Sequence, residues 1–161
     1  MSTTITEVEQ DRQAPGMEVP FIREMAEITY HMWRLGWDER NGGNISYLLD
    51  EAEVVKNLGT AAPAERRKLP LAFPVKELAG RYFIVTGSGK YFKNVISDPE
   101  ANLGVLRVAE GGDQFEVLWG LRDGAVPTSE LPAHFMSHIE RLKVDRRTGS
   151  SCTATRRMRW P

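Results

Sequence analysis

Apolar residues recur at helical spacing from Met17 to Trp37, with Phe21, Met25, Ile28, Met32 and Leu35 on one stripe. That stripe predicts a helix packing one face on a core, and Gly36 is its stop signal. The period then shortens. Ile45 to Leu49 reads as a short strand, and Arg81-Tyr82-Phe83-Ile84-Val85-Thr86 as a stronger one. Leu103 to Val108 and Gln114 to Trp119 flank the turn Glu110-Gly111-Gly112-Asp113, which predicts a hairpin. Residues 50–74 follow neither period and are expected to form a surface excursion with room for one short helix. Thr128-Ser129 opens a last helix, with Pro132 in its first turn, where a missing N–H is harmless. Leu131, Phe135, His138, Ile139 and Leu142 mark one face of it. No segment repeats. Strands with helices at both ends predict a layered α/β or α+β domain.

Composition narrows the class. A chain of 161 residues, 41% hydrophobic and 27% charged, suits one soluble domain. The net charge of −1 gives no field that favours nucleic acid or an anionic membrane, and no apolar run reaches spanning length. The opening residues are polar and lack a signal-peptide core, and residues 1–16 are expected to be a flexible leader ending at Ala14-Pro15-Gly16. Cys152 is the single cysteine, so no internal disulfide framework is possible. A cytoplasmic protein is the expectation. Residues 144–161 show no periodicity and are rich in arginine. A basic tail binding nucleic acid through Arg146, Arg147, Arg156, Arg157 and Arg159 is the weakest of the functional readings.

Three polar turns could carry chemistry: Asn41-Gly42-Gly43-Asn44, Thr86-Gly87-Ser88-Gly89-Lys90 and Pro127-Thr128-Ser129-Glu130. Each borders a regular element. Glycines let backbone N–H groups approach an anion, small hydroxyls and amides add donors, and a helix start at Thr128-Ser129 adds a favourable dipole. Taken singly each is an ordinary turn; together they form a phosphate cradle. A P-loop is excluded because Ile84 and Tyr91 stand where it needs glycine and a hydroxyl. A dinucleotide fingerprint fails at Phe92. Glu130 is placed for general acid/base work or, more simply, for complementing the helix dipole. His134 and His138 share a helix face at i, i+4, but with His31 as the only other histidine they read as packing residues rather than as a metal pair.

Several of these segments resemble a known family. They are Gly36 to Asn44, Phe83 to Phe92, Asp98 to Gly104, Leu118 to Leu121 and Ala125 to Phe135. Together they are similar to the rhamnulose-1-phosphate aldolases of the class II aldolase/adducin-like family, over roughly residues 18–143 apart from the 50–80 stretch. The resemblance implies a three-layer α/β/α sandwich with a mostly antiparallel central sheet, incomplete here at the C-terminus. It implies that Asn41, Asn44, Ser88, Gly89, Thr128 and Ser129 hold a substrate phosphate, and that Glu130 is the acid/base carboxylate. The family binds Zn2+ through three histidines, acts on a phosphorylated ketose and assembles as homotetramers. Its reaction is the reversible cleavage of L-rhamnulose 1-phosphate to dihydroxyacetone phosphate and L-lactaldehyde.

The zinc ligands are where the chain departs. After the Glu130 helix the family has Asp-Arg-Val-Ile-Met-His-Cys-His-Ala-Thr-Asn, two of whose histidines bind zinc. Here Arg147 to Met158 reads Arg-Thr-Gly-Ser-Ser-Cys-Thr-Ala-Thr-Arg-Arg-Met. Joining the third base of each codon to the first two of the next can recover the whole family run, with only one base of each shifted codon free to choose. The expectation is a frame slip between about Val144 and Arg147, an aldolase domain over 17–143 and an out-of-frame tail over 144–161. Metal ligands are then absent from this chain, and aldolase activity with them. The alternative is a non-catalytic fragment that still binds phosphorylated sugars.

Overall fold

In the computed structural model, residues 14–38, 40–59, 66–144 and the strand 152–155 are described. Most of the expected leader and most of the expected out-of-frame tail lie outside them. The elements are α1 (Pro20–Arg34), β1 (Asn44–Leu49), α2 (Glu51–Leu58), β2 (Lys68–Pro70), β3 (Tyr82–Thr86), α3 (Phe92–Val95) and α4 (Pro99–Asn102). They continue as β4 (Leu103–Val108), β5 (Gln114–Gly120), α5 (Leu131–Val144) and β6 (Cys152–Thr155). The strands form one sheet in the order β2-β5-β4-β3-β1-β6, antiparallel at every pairing.

Alternation along the strands sends side chains to two apolar layers, one on each face. On β3, Ile84 joins the layer under α1, α2 and α3, with Phe21, Ile22, Met25, Val54 and Phe92. Its neighbours Phe83 and Val85 join the opposite layer under α5, with Leu131, Phe135 and Ile139. Leu103 and Val105 face the first layer and Leu106 and Val108 the second, so β4 is buried on both sides. This is the expected three-layer α/β/α arrangement. No described helix is long and apolar enough to cross a membrane.

Local signals explain most boundaries. Pro20 begins α1, and Asp50 caps α2 by accepting from the backbone N–H groups of Ala52 and Glu53. Asp98 caps α4 by accepting from Ala101 N at 3.2 Å. The expected hairpin forms as β4–β5, with a register shift between Val105 and Leu106.

Four details differ from expectation. The buried face of α1 is Phe21, Ile22, Met25, Ala26 and Thr29, whereas Ile28 and Leu35 of the expected stripe are exposed. The helix is rolled so that its small residues, Ala26 and Thr29, are fully buried. The 50–74 stretch contains α2 and also β2, which pairs with β5. The leader's last residues are packed: Ala14 lies against the first apolar layer, and a Cβ on Gly16 would lie 2.5 Å from the Trp119 ring. Finally, the patternless tail contributes β6, which covers the edge of β1.

Candidate functional site

The three polar turns sit at one end of the sheet because β1 begins where antiparallel β3 ends. Ser46 pairs with Val85. One step further, Ile45 N donates to Thr86 Oγ1 at 3.0 Å, so the Thr86 hydroxyl ties the start of β1 to the end of β3. Beyond Thr86 the chain leaves β3 and meets the strand-like approach to α5. Thr128 N donates to Thr86 O (3.0 Å), Gly87 bridges Pro127, and Ser88 N donates to Val126 O (2.8 Å). The Thr86–Lys90 and Pro127–Glu130 turns are thereby laced together through their backbones.

The Asn41–Asn44 turn is held to the same end by Asp38. Its Oδ1 accepts from Gly43 N at 3.0 Å and its Oδ2 from Phe92 N at 3.2 Å. One carboxylate therefore fastens the first glycine turn to the segment that follows the second. Burial raises the Asp38 pKa above the usual aspartate value, against the two backbone donors, which lower it. Gly43 fits only without a side chain: a Cβ would lie 2.7 Å from the Phe92 ring. Asn41 faces the second turn, its Nδ2 lying 3.9 Å from where a Cβ on Gly89 would stand.

At the start of α5, Thr128 is buried while Ser129 is exposed and Glu130 half-buried. Thr128 Oγ1 accepts from Glu130 N at 3.3 Å, satisfying one of the free N–H groups of the helix start. All seven expected residues, Asn41, Asn44, Ser88, Gly89, Thr128, Ser129 and Glu130, thus lie on three turns joined at one end of the sheet. Ser88, Gly89 and Ser129 keep exposed positions there.

Beneath these turns lies a polar cluster of which only Asn44 belongs to the expected site. Asn44, Ser46, His134 and His138 are all buried. Ser46 Oγ is 2.8 Å from His134 Nδ1 and 2.9 Å from His138 Nε2, and His134 Nε2 is 2.5 Å from Asn44 Oδ1. Burial lowers the His134 pKa, with Glu130 opposing. Burial, then His134 and Arg141, lowers that of His138 to about 4. Both rings are neutral at pH 7. The sequence assigns no role to Asp38 or Ser46 and shows Thr86 only as part of its turn, because each acts through a partner distant in the chain. Ser46 left the clearest signal, a small hydroxyl between Ile45 and Tyr47 in a strand.

These residues do not fit a zinc ion. His134 has committed both ring nitrogens and His138 one, and no described group of three His, Cys, Asp or Glu side chains is arranged to hold a metal. A separate cavity of about 430 Å3, lined in part by Asp50, Glu51, Arg81, Arg107 and Glu110, opens at the opposite ends of β1 and β3.

Comparison with known proteins bears on the family and the fold. Residues 23–145 match the family model of the class II aldolase and adducin N-terminal domain. The rhamnulose-1-phosphate aldolase of Enterococcus faecalis is 60% identical over 129 residues, covering 80% of this chain and 46% of the relative. That of Listeria monocytogenes is 58% identical, covering 86% and 51%, and that of Escherichia coli 52% identical, covering 77% and 45%. The chain spans about half the length of the curated relatives it matches. Among solved structures, a sugar-phosphate aldolase from Thermotoga maritima superposes with a TM-score of 0.58 at 29% identity, covering 78% of this chain and 48% of that one.

Proposed function

The chain belongs to the class II aldolase and adducin family, and on that premise we propose that it carries the phosphate-binding half of a rhamnulose-1-phosphate aldolase. The reaction is the reversible cleavage of L-rhamnulose 1-phosphate to dihydroxyacetone phosphate and L-lactaldehyde, in rhamnose catabolism in the cytoplasm. The observation that carries the reading is the lacing of three donor-rich turns at one end of the sheet. The Asn41 and Asn44 amides, the Ser88 hydroxyl and the Gly89 backbone hold the phosphate from one side. Thr128 and Ser129, at the positive end of α5, hold it from the other. Glu130, half-buried beside them, moves the proton that making or breaking the carbon–carbon bond requires.

Family aldolases use zinc to stabilise the enediolate, and the described residues supply no site for it. We attribute this to translation leaving the aldolase frame after about Val144, so that this polypeptide binds phosphate esters without turning them over. β6 supports the attribution. The codon overlaps that can read His-Cys-His run from Cys152 to Thr155, the four residues that pair with β1 from Tyr47 to Asn44. A corrected frame would set that run against the strand bearing Asn44 and Ser46.

Sequencing the coding DNA from Leu142 past Pro161 tests this. The expected result is that one base inserted between the codons of Val144 and Arg147 restores the Met-His-Cys-His run, and that the restored protein binds zinc and cleaves the substrate. Codons whose third bases spell no such run, or a restored protein that takes up no zinc, would overturn it.

A further inference from the structure

We infer that His134 is a positioning residue: with Ser46 and His138 it forms a one-directional buried relay that turns the Asn44 amide so that its NH2 group faces the phosphate cradle. The inference deepens the proposed function and rests on it for the identity of the anion; the relay itself rests on geometry alone.

Four polar side chains meet between β1 and α5, beside a layer of aromatic rings. Phe83 packs 4.8 Å from Phe135 and 5.0 Å from the His138 ring, centroid to centroid. All four residues are buried, so each short contact needs one donor and one acceptor. With both imidazoles neutral, each ring carries one N–H and one lone pair. Ser46 can accept twice but donate once. If both rings donated to it, its own O–H would be left without an acceptor among the described residues, where its partners are the two rings. Two directions are therefore consistent along the whole relay.

In the first, His138 Nε2–H donates to Ser46 Oγ, Ser46 O–H donates to His134 Nδ1, and His134 Nε2–H donates to Asn44 Oδ1. In the second every bond is reversed, and the Asn44 NH2 donates inward to His134 Nε2. The far end of the relay decides between them. His138 Nδ1 is buried with no hydrogen-bond partner. The first direction leaves it a bare lone pair, whereas the second leaves it an orphaned N–H. Buried donors without partners are the rarer and costlier case. The first direction holds.

Its consequence appears at the surface end. Asn44 Oδ1 is consumed by His134, and Asn44 Nδ2, which has no hydrogen-bond partner among the described residues, is left to donate into the turn region. The reverse direction would aim a carbonyl oxygen at an anion. Three buried residues that touch no ligand thereby decide whether Asn44 attracts phosphate or repels it.

The test uses the full chain labelled with 15N. Long-range 1H–15N spectra at pH 7 should show His134 and His138 both neutral and both protonated on Nε2. Dihydroxyacetone phosphate is the probe for binding. His134→Leu removes the donor to Asn44 and should weaken binding roughly tenfold, the equivalent of one hydrogen bond. His134→Gln keeps an N–H near the Nε2 position and should recover most of it. An Nδ1–H tautomer at either histidine, or equal affinity in the Leu variant and wild type, overturns the relay. Equal loss in both variants also overturns it, because that is what a merely structural role gives. If the wild type binds no dihydroxyacetone phosphate, the phosphate reading fails separately, and the tautomers still decide the relay. If a variant fails to fold, the wild-type tautomers decide it as well.

Discussion

Replacing Asp38 by asparagine removes one oxygen from the clamp that joins two of the three turns, and its cost can be worked from two bonds. Gly43 N at 3.0 Å and Phe92 N at 3.2 Å donate to different oxygens of the carboxylate. The isosteric amide can accept from one of them and must present N–H to the other. A donor stranded in a largely buried place costs about 1–3 kcal/mol. Part of that is offset because the desolvated charge, the main cause of the raised Asp38 pKa, disappears with the substitution. The expected net loss at pH 7 is about 1–2 kcal/mol, read by urea denaturation followed by circular dichroism. The pH dependence has a definite sign. A carboxyl with a raised folded pKa binds its proton more tightly in the native state, so its contribution to stability increases as pH falls through the window above the ordinary aspartate value. Asparagine has no such gain, and the deficit of Asp38→Asn relative to wild type must widen on acidification. A deficit below about 0.5 kcal/mol, within the range of neutral surface substitutions, would refute the clamp, and one that narrows at low pH would refute the raised pKa.

Two further substitutions probe the frame around the site. Gly120 ends β5 at φ +79, and a Cβ there would lie 2.1 Å from Leu103 O, so Gly120→Ala must push strand from strand. It should cost at least about 3 kcal/mol; an unchanged urea midpoint would contradict this. His138 resists protonation down to about 4 in the fold, against an ordinary value of 6.5. Between these values the unfolded chain takes up the proton and the folded chain does not. Its contribution is therefore complete above pH 6.5 and declines as pH falls toward 4, by on the order of 3 kcal/mol in all. His138→Leu should remove that part of the pH slope, and an unaltered slope would show that the ring is not buried neutral.

The elements with a strong period were legible, and those set by tertiary packing were not. Phe83, Ile84 and Val85 form an unbroken apolar run that reads as a strand covered on both faces. The α5 face of Leu131, Phe135, His138 and Ile139 was equally plain, as was the β4–β5 hairpin with its two-glycine turn. The roll of α1 was not legible. Phe21, Ile22, Met25 and Ile28 span about a third of its circumference, and only the sheet chooses which side of that arc is buried. Helices α3 and α4 are one turn each, too short to display a period. β2 and β6 exist by pairing with β5 and β1, and partner strands leave no trace in local sequence. The same division runs through the site. Donor-rich turns announce themselves by glycine, asparagine and hydroxyls, whereas Asp38 and Ser46 act through residues 54 and 88 positions away, Phe92 and His134.

The most direct test is one 31P NMR titration of L-rhamnulose 1-phosphate with the full chain and excess zinc. The expected result is a saturable change of the substrate phosphate resonance with no dihydroxyacetone phosphate signal above the protein-free control. A growing product signal would contradict the missing metal ligands, and a resonance that never responds to protein would contradict the phosphate cradle.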